Sequence, residues 1–316
     1  MNQVVRLFKA AALTLTAAAD GFLAACRARN LSPRTLDYYR YRLQAFERFL
    51  EPHGTPPVSG ITARHVRDFL VSELERGSPT TAAHSYITLS AFFAHLEREG
   101  QIDANPMSRV EKPKRRKTVI QTLSAAQVEA LLRTCGRDFY GVRDRAALLI
   151  LLDCGLRASE LCGLEVADAS LEEQTLLVTG KGNKERVVPF GTTVRSALVS
   201  YLARPRQSGD GRLFVNHYAE AFTRWGLRDT VSKRGRQAGV TGVRCSPHVL
   251  RHTCAVMYLR NGGDVFTLQK LLGHEDLTMT RRYAELSQTD VQEKHRLYSP
   301  MDALRPKTKT GRTRLR

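Results

Sequence analysis

The chain has no apolar run approaching the ~20 residues that a membrane-spanning helix needs, so no membrane-embedded role is expected. Its six cysteines, at positions 26, 135, 154, 162, 245 and 254, include no C-x-x-C pair and follow no secretory framework. Reduced cytosolic thiols are the simplest reading, and no zinc site is suggested. Carboxylates never cluster as a paired-metal site would require. No metal and no cofactor is therefore expected. Acidic residues are also scarce, with 31 Asp plus Glu against 49 Lys plus Arg, a formal charge of +18. That balance is the electrostatic footprint of a polyanion binder, with nucleic acid first.

A length of 316 residues exceeds one typical domain, and two are expected. The start resembles a signal peptide, with Arg6 and Lys9 ahead of an alanine-rich run. Two threonines interrupt that run, which flows into the first amphipathic helix, so export is not expected. The spacing then predicts a helical bundle over residues 16–104, after an extension of residues 1–15. Ser32-Pro33, Thr62 and Ser78-Pro79 are helix starts. Tyr38, Tyr39, Tyr41, Phe46, Phe49, Phe92 and Phe93 recur at helical spacing and are expected in the core. Arg34, Arg40, Arg42 and Arg48 fall on the complementary face, open either to phosphate or to water. Arg34 and Arg40 are the candidates for DNA contact.

Residues 105–121 change character. NPMSRVEKPKRRK carries six basic residues, one acid and two prolines. The prolines resist helix and the charge invites a polyanion. A linker lying along a nucleic-acid backbone is expected, with Lys112, Lys114, Arg115, Arg116 and Lys117 as its contacts. Residues 122–298 form the second domain. Ser124 with Gln127 is a capping box; RDRAALLILL is a buried helix broken at Gly155; in LRASEL, Arg157 stands at a helix start with Glu160 placed one turn away to orient it. TLLVTGKGNKERVVPF reads as a β-hairpin with Lys181 at its tip. A last short helix is expected over residues 289–297, and a disordered basic tail over residues 299–316.

The densest chemistry lies between Ser246 and Leu286. Ser246-Pro247 starts a helix that puts His248 and Arg251 three apart on one face. His252, beside them, reads as a packing residue. The helix ends at Gly262-Gly263, Asp264 caps the next, and Gly273 is a plausible left-handed terminus that leaves His274 just beyond it. Tyr283 follows nine residues later.

Phosphodiester transfer needs a nucleophile, a proton for the leaving oxygen, and positive charge around the equatorial oxygens. Here the motifs carry cations and one hydroxyl in place of clustered carboxylates. LRASEL, GKGNKER, HVLRHT, LLGH and the tyrosine of TMTRRYAEL, in this order, resemble the tyrosine recombinase and integrase family. The resemblance covers the second domain, and the first matches the family's helical core-binding domain in size and position. It implies a mainly α protein: an N-terminal SAM-like core-binding bundle, then an α+β catalytic domain with a small antiparallel sheet.

It also implies roles. Tyr283 is the nucleophile of a 3′-phosphotyrosyl intermediate, Arg157 and Arg251 clamp the phosphate, Lys181 is the general acid, and Glu160 supports Arg157. Position separates the histidines: His248, at a helix N-terminus that disfavours the imidazolium, accepts a proton, whereas His274 donates a hydrogen bond to the phosphate. The implied partners are double-stranded DNA with specific sites, a homotetramer joined through C-terminal helices, and an accessory directionality protein. The implied location is the cytoplasm, at the nucleoid. With only some fifteen residues ahead of the first helix, no arm-binding domain is expected, which leaves the simple two-domain layout that Xer recombinases share with many transposon and plasmid recombinases. The basic tail and its departure from the usual Xer ending favour a mobile-element integrase, with Xer-type dimer resolution as the alternative. The rivals are an accessory DNA-binding protein that cuts nothing and a type IB topoisomerase.

Overall fold

The computed structural model describes residues 13–114, 120–180, 183–204, 211–216, 218–273, 280–284, 295, 299 and 301. The chain divides into two compact units, Met1–Thr118 and Val119–Arg316.

Among its described residues the first unit contains four α-helices: α1 (Leu15–Ala28), α2 (Pro33–Leu50), α3 (Ala63–Arg76) and α4 (Pro79–Arg98). Each begins where a side-chain oxygen meets the free N–H groups of the first turn. Thr14, Ser32, Thr62 and Ser78 supply those oxygens, and Pro33 and Pro79 occupy first positions where no donor is needed. Leu43, Phe46, Phe69, Phe92 and Phe93 fill the core. The rings meet edge-on or tilted, as Phe92 and Phe93 do at 5.1 Å between centroids.

Tyr41 departs from the expected core, being 58% exposed. It stands two residues before Leu43, and at 100° per residue that turns it away from the Leu36, Leu43, Phe46 and Leu50 stripe. Arg42 departs from the expected open face. Its guanidinium lies over the Tyr38 and Tyr41 rings and pairs with Glu73 at 3.1 Å, with both partners largely covered. The proline-bearing stretch also begins differently. Pro106–Arg109 forms a 3₁₀ turn capped by Asn105, and Met107 and Val110 are buried in the bundle's core. The basic stretch therefore leaves the bundle after Val110 rather than at Asn105.

The second unit is built around α6 (Phe139–Asp153), in which every residue from Ala146 through Leu151 is buried and apolar. A stretch of helix that is apolar all round must be enclosed. It packs against α8 (Thr192–Leu202) and α10 (Pro247–Arg260), with α5 (Ala125–Arg133), α7 (Ala158–Gly163), α9 (Arg224–Gln237) and α11 (Val265–Leu272) around them. The Ser124–Gln127 capping box is present, and the N–H of Leu123 donates to Thr253 Oγ1 at 2.9 Å, pinning the start of α5 to α10. A buried ion cluster fastens α9 to α6: Asp144 binds Arg143 and Arg234, each at 2.7 Å.

A small antiparallel sheet, in the order β1 (Ala169–Ser170), β2 (Thr175–Thr179), β3 (Glu185–Pro189), completes the unit. Its hairpin register runs from Thr175 opposite Pro189 to Thr179 opposite Glu185. Leu176, Val178 and Val188 face inward, whereas Leu177 and Val187 are exposed. This is the mainly α fold, with a helical bundle ahead of an α+β domain, that the sequence led us to expect. Among the described residues no helix is long and apolar enough to cross a membrane. The expected helix over residues 289–297 and the tail lie outside the described residues, apart from single positions.

Candidate active site

Arg157, Glu160 and Arg251 come together in the second unit. Gly155 ends α6 with φ +62, a left-handed turn suited to glycine, and releases the chain into α7. Arg157 stands at the α7 N-cap; its N–H donates to Glu160 Oε2 at 2.8 Å and its Nη1 to Oε1 at 2.7 Å. Arg251 lies in the first turns of α10, 5% exposed, donating Nη1 to the Gly155 carbonyl at 2.5 Å and Nη2 to the Leu272 carbonyl at 2.8 Å. Its Nη1 is 3.9 Å from Glu160 Oε2.

A third arginine, Arg186, was not among the residues expected at the site. Its Nη1 and Nη2 each donate to one oxygen of Glu160 at 3.0 Å, a two-pronged contact, while its Nε donates to the Leu271 carbonyl at 3.2 Å. A sequence signal was available. In ERVVP, the alternation that turns Val188 inward places Arg186 on the same inner face, where a charge requires a partner.

These contacts converge on the C-terminal end of α11. The carbonyls of Leu271, Leu272 and Gly273 accept from Arg186, Arg251 and Arg157 respectively. A helix C-terminus has unpaired carbonyls and partial negative charge, so three guanidiniums suit it. Gly273 is the left-handed C-cap the sequence led us to expect, at φ 63. Three arginines against the single Glu160 carboxylate leave an excess of two positive charges. Burial alone would raise the Glu160 pKa. Hydrogen bonds from Arg186 and Arg157 outweigh it and hold the carboxyl below its ordinary range. Burial, with the Arg157 charge, lowers the Arg251 pKa to about 10, so it stays cationic at neutral pH.

Tyr283 is 1% exposed and packs with Ala255, Val256, Leu259, Leu268 and Leu272. Its hydroxyl lies 2.7 Å from Nδ1 of His252, which is therefore more than the packing residue expected from sequence. Burial raises the phenol pKa, against the pull of Arg251, Arg282 and Arg157. Burial, then the charges of His248, Arg251 and Arg282, lowers the His252 pKa to about 4. His248 itself is exposed on the first turn of α10. No spacing rule pairs His252 with Tyr283, 31 residues apart, so the sequence offered no signal for this contact.

Lys181, His274, Arg115, Arg116 and Lys117 lie outside the described residues. Lys112, Lys114, Arg34 and Arg40 are exposed, and Arg40 pairs with Asp37 at 2.9 Å. Among the described residues no group of His, Cys, Asp or Glu is assembled to hold a metal ion.

The profile described as the phage integrase family matches residues 121–290, and that of the phage integrase N-terminal SAM-like domain matches residues 19–100. The tyrosine recombinase XerC of Oceanobacillus iheyensis is 35% identical over 276 residues, covering 84% of this chain and 90% of its own. The tyrosine recombinase XerD of Proteus mirabilis is 35% identical over 279 residues, covering 86% and 89%. A lambda integrase tetramer bound to a Holliday junction superposes with a TM-score of 0.74 at 20% identity, covering 88% of this chain and 82% of that one, a likeness of fold. With family profiles matching both units and relatives of this closeness, the chain belongs to the phage integrase family of tyrosine recombinases.

Proposed function

We propose that this recombinase cuts and rejoins DNA at specific sites through a tyrosyl intermediate. The observation that carries the reading is the excess of positive charge built by Arg157, Arg186 and Arg251 around one carboxylate, of which Arg251 and Arg157 also act on the Tyr283 hydroxyl. Positive charge held in place before the reaction is what an in-line phosphoryl displacement requires. Arg157 and Arg251 keep N–H groups beyond those spent on carbonyls and Glu160, because a guanidinium has five donors.

In the step itself the Tyr283 oxygen bonds to phosphorus and the bond from phosphorus to the 5′ oxygen breaks. Lys181 protonates that oxygen, His248 accepts the phenol proton, and His274 donates to a phosphate oxygen. The product is a 3′-phosphotyrosine that keeps the diester's bond energy, so religation needs no ATP. Arg34, Arg40, Lys112, Lys114, Arg115, Arg116 and Lys117 contact the phosphate backbone and do not read sequence. Residues 111–121 are the linker. The working assembly is a tetramer joined through C-terminal helices, exchanging strands through a Holliday junction at the nucleoid, with an accessory protein setting direction.

Service to a mobile element is the first reading of the biological role. Xer-type dimer resolution is the second, favoured by the XerC and XerD relatives that align along most of this chain. The decisive experiment uses a nicked suicide duplex containing the recombination site. The wild type is expected to form a covalent adduct and Tyr283→Phe none. No adduct from the wild type favours an accessory protein, and plasmid relaxation without recombinants favours a topoisomerase.

A further inference from the structure

The mechanism above leaves one close contact without a role. His252 Nδ1 and the Tyr283 hydroxyl are 2.7 Å apart, yet His252 follows Arg251 directly and belongs to the same rigid helix. We infer that His252 is a positioning residue: its neutral imidazole accepts the phenolic hydrogen bond and fixes the Tyr283 oxygen before attack. The inference rests on Tyr283 being the nucleophile.

Three features support it. A tyrosine ring has two torsions, and packing among Val256, Leu259 and Leu268 restricts the ring, whereas apolar contact gives the hydroxyl hydrogen no direction. Acceptance by Nδ1 fixes that hydrogen and places the imidazole's own proton on Nε2. Second, Arg251 on its own helix and Arg282 beside Tyr283 place positive charge near His252. With burial they keep it neutral, and a neutral ring can accept where an imidazolium could only donate. Third, His248 and His252 are four apart on α10, neighbours on one face. The residue proposed to take the proton thus stands one turn from the residue that holds the oxygen.

The shifts also separate holding from deprotonating. The His252 pKa falls to about 4 while the phenol is raised above its ordinary value, so the proton stays on oxygen in the DNA-free chain. His252 aims the nucleophile, and its removal costs orientation. The same helix then sets both the phosphate clamp, through Arg251, and the position of the attacking atom.

The test measures the single-turnover rate of adduct formation on the nicked duplex at saturating protein. His252→Asn keeps an acceptor near the Nδ1 position but cannot take up a proton; it is expected to remain within about threefold of wild type. His252→Leu removes the acceptor and should slow the step about tenfold, the kinetic equivalent of one neutral hydrogen bond. DNA affinity should be unchanged in both. If His252→Leu does not fold, judged by its melting transition, His252→Gln replaces it, since its carbonyl falls near the Nε2 position. Three results overturn the inference: Leu as fast as wild type, Leu faster, which would make the contact a restraint, or Asn as slow as Leu. Failure of the parent reading looks different, as absence of a wild-type adduct or its persistence in Tyr283→Phe.

Discussion

Replacing Glu160 with glutamine should destabilise the second unit by about 3 kcal/mol at neutral pH. The carboxylate side chain is 3% exposed and accepts the Arg157 N–H at 2.8 Å, Arg157 Nη1 at 2.7 Å, and both terminal nitrogens of Arg186 at 3.0 Å. Glutamine preserves the shape and one oxygen but turns an NH2 group toward guanidinium donors, leaving three cations without their counter-charge. Removing one partner of a buried ion pair costs about 3–5 kcal/mol. The lower end applies because the Arg157 side chain is 37% exposed and can recover water. For a domain of this size that corresponds to a fall of about 6–12 °C in melting temperature, readable by calorimetry of the full chain.

The pH dependence follows from the same contacts. Because the folded pKa of Glu160 is depressed, its contribution is complete above the ordinary glutamate range and is lost as pH falls through the folded value. The gap between wild type and Glu160→Gln should therefore be widest at neutral pH and close in acid. A melting temperature within about 2 °C of wild type at pH 7 would refute the claim that this carboxylate holds the arginines together.

Two further substitutions probe the same centre. Arg186→Lys keeps the charge but loses the planar fork, so the urea midpoint should fall by the equivalent of about 2 kcal/mol; DNA affinity should be unchanged, because the guanidinium is turned inward. Gly155→Ala forces a side chain onto a residue at φ +62, with its Cβ 2.5 Å from Leu272 Cδ2 and 3.1 Å from Cys254 Sγ. A loss of about 2 kcal/mol or more is expected in the same measurement, together with slower adduct formation, since the Gly155 carbonyl anchors Arg251.

Local chemistry was legible in the sequence wherever cause and effect lie within one or two helical turns. Ser32-Pro33, Ser78-Pro79, Ser124 with Gln127, Ser246-Pro247 and Gly273 mark helix ends because a cap acts on N–H or carbonyl groups a few residues away. The contact between Arg157 and Glu160 was open to the same reasoning, since residues three apart on a helix face each other. The order of the motifs, and with it the family, also belongs to the sequence. Tyr41 shows the limit: helical spacing over a long aromatic run does not say which stripe faces the core until a partner helix is present.

What only the tertiary structure decided are the contacts that span the chain. Arg186 reaches Glu160 across 26 residues, Tyr283 reaches His252 across 31, and Arg157 reaches the Gly273 carbonyl across 116. No periodicity encodes such pairs. They exist because the enclosed helix α6, the hairpin and the end of α11 pack so that one buried carboxylate and one helix terminus must be satisfied by whichever donors the fold brings near. The sequence determined which groups carry the chemistry, and packing determined that three arginines share one carboxylate and that the hydroxyl of Tyr283 rests against His252.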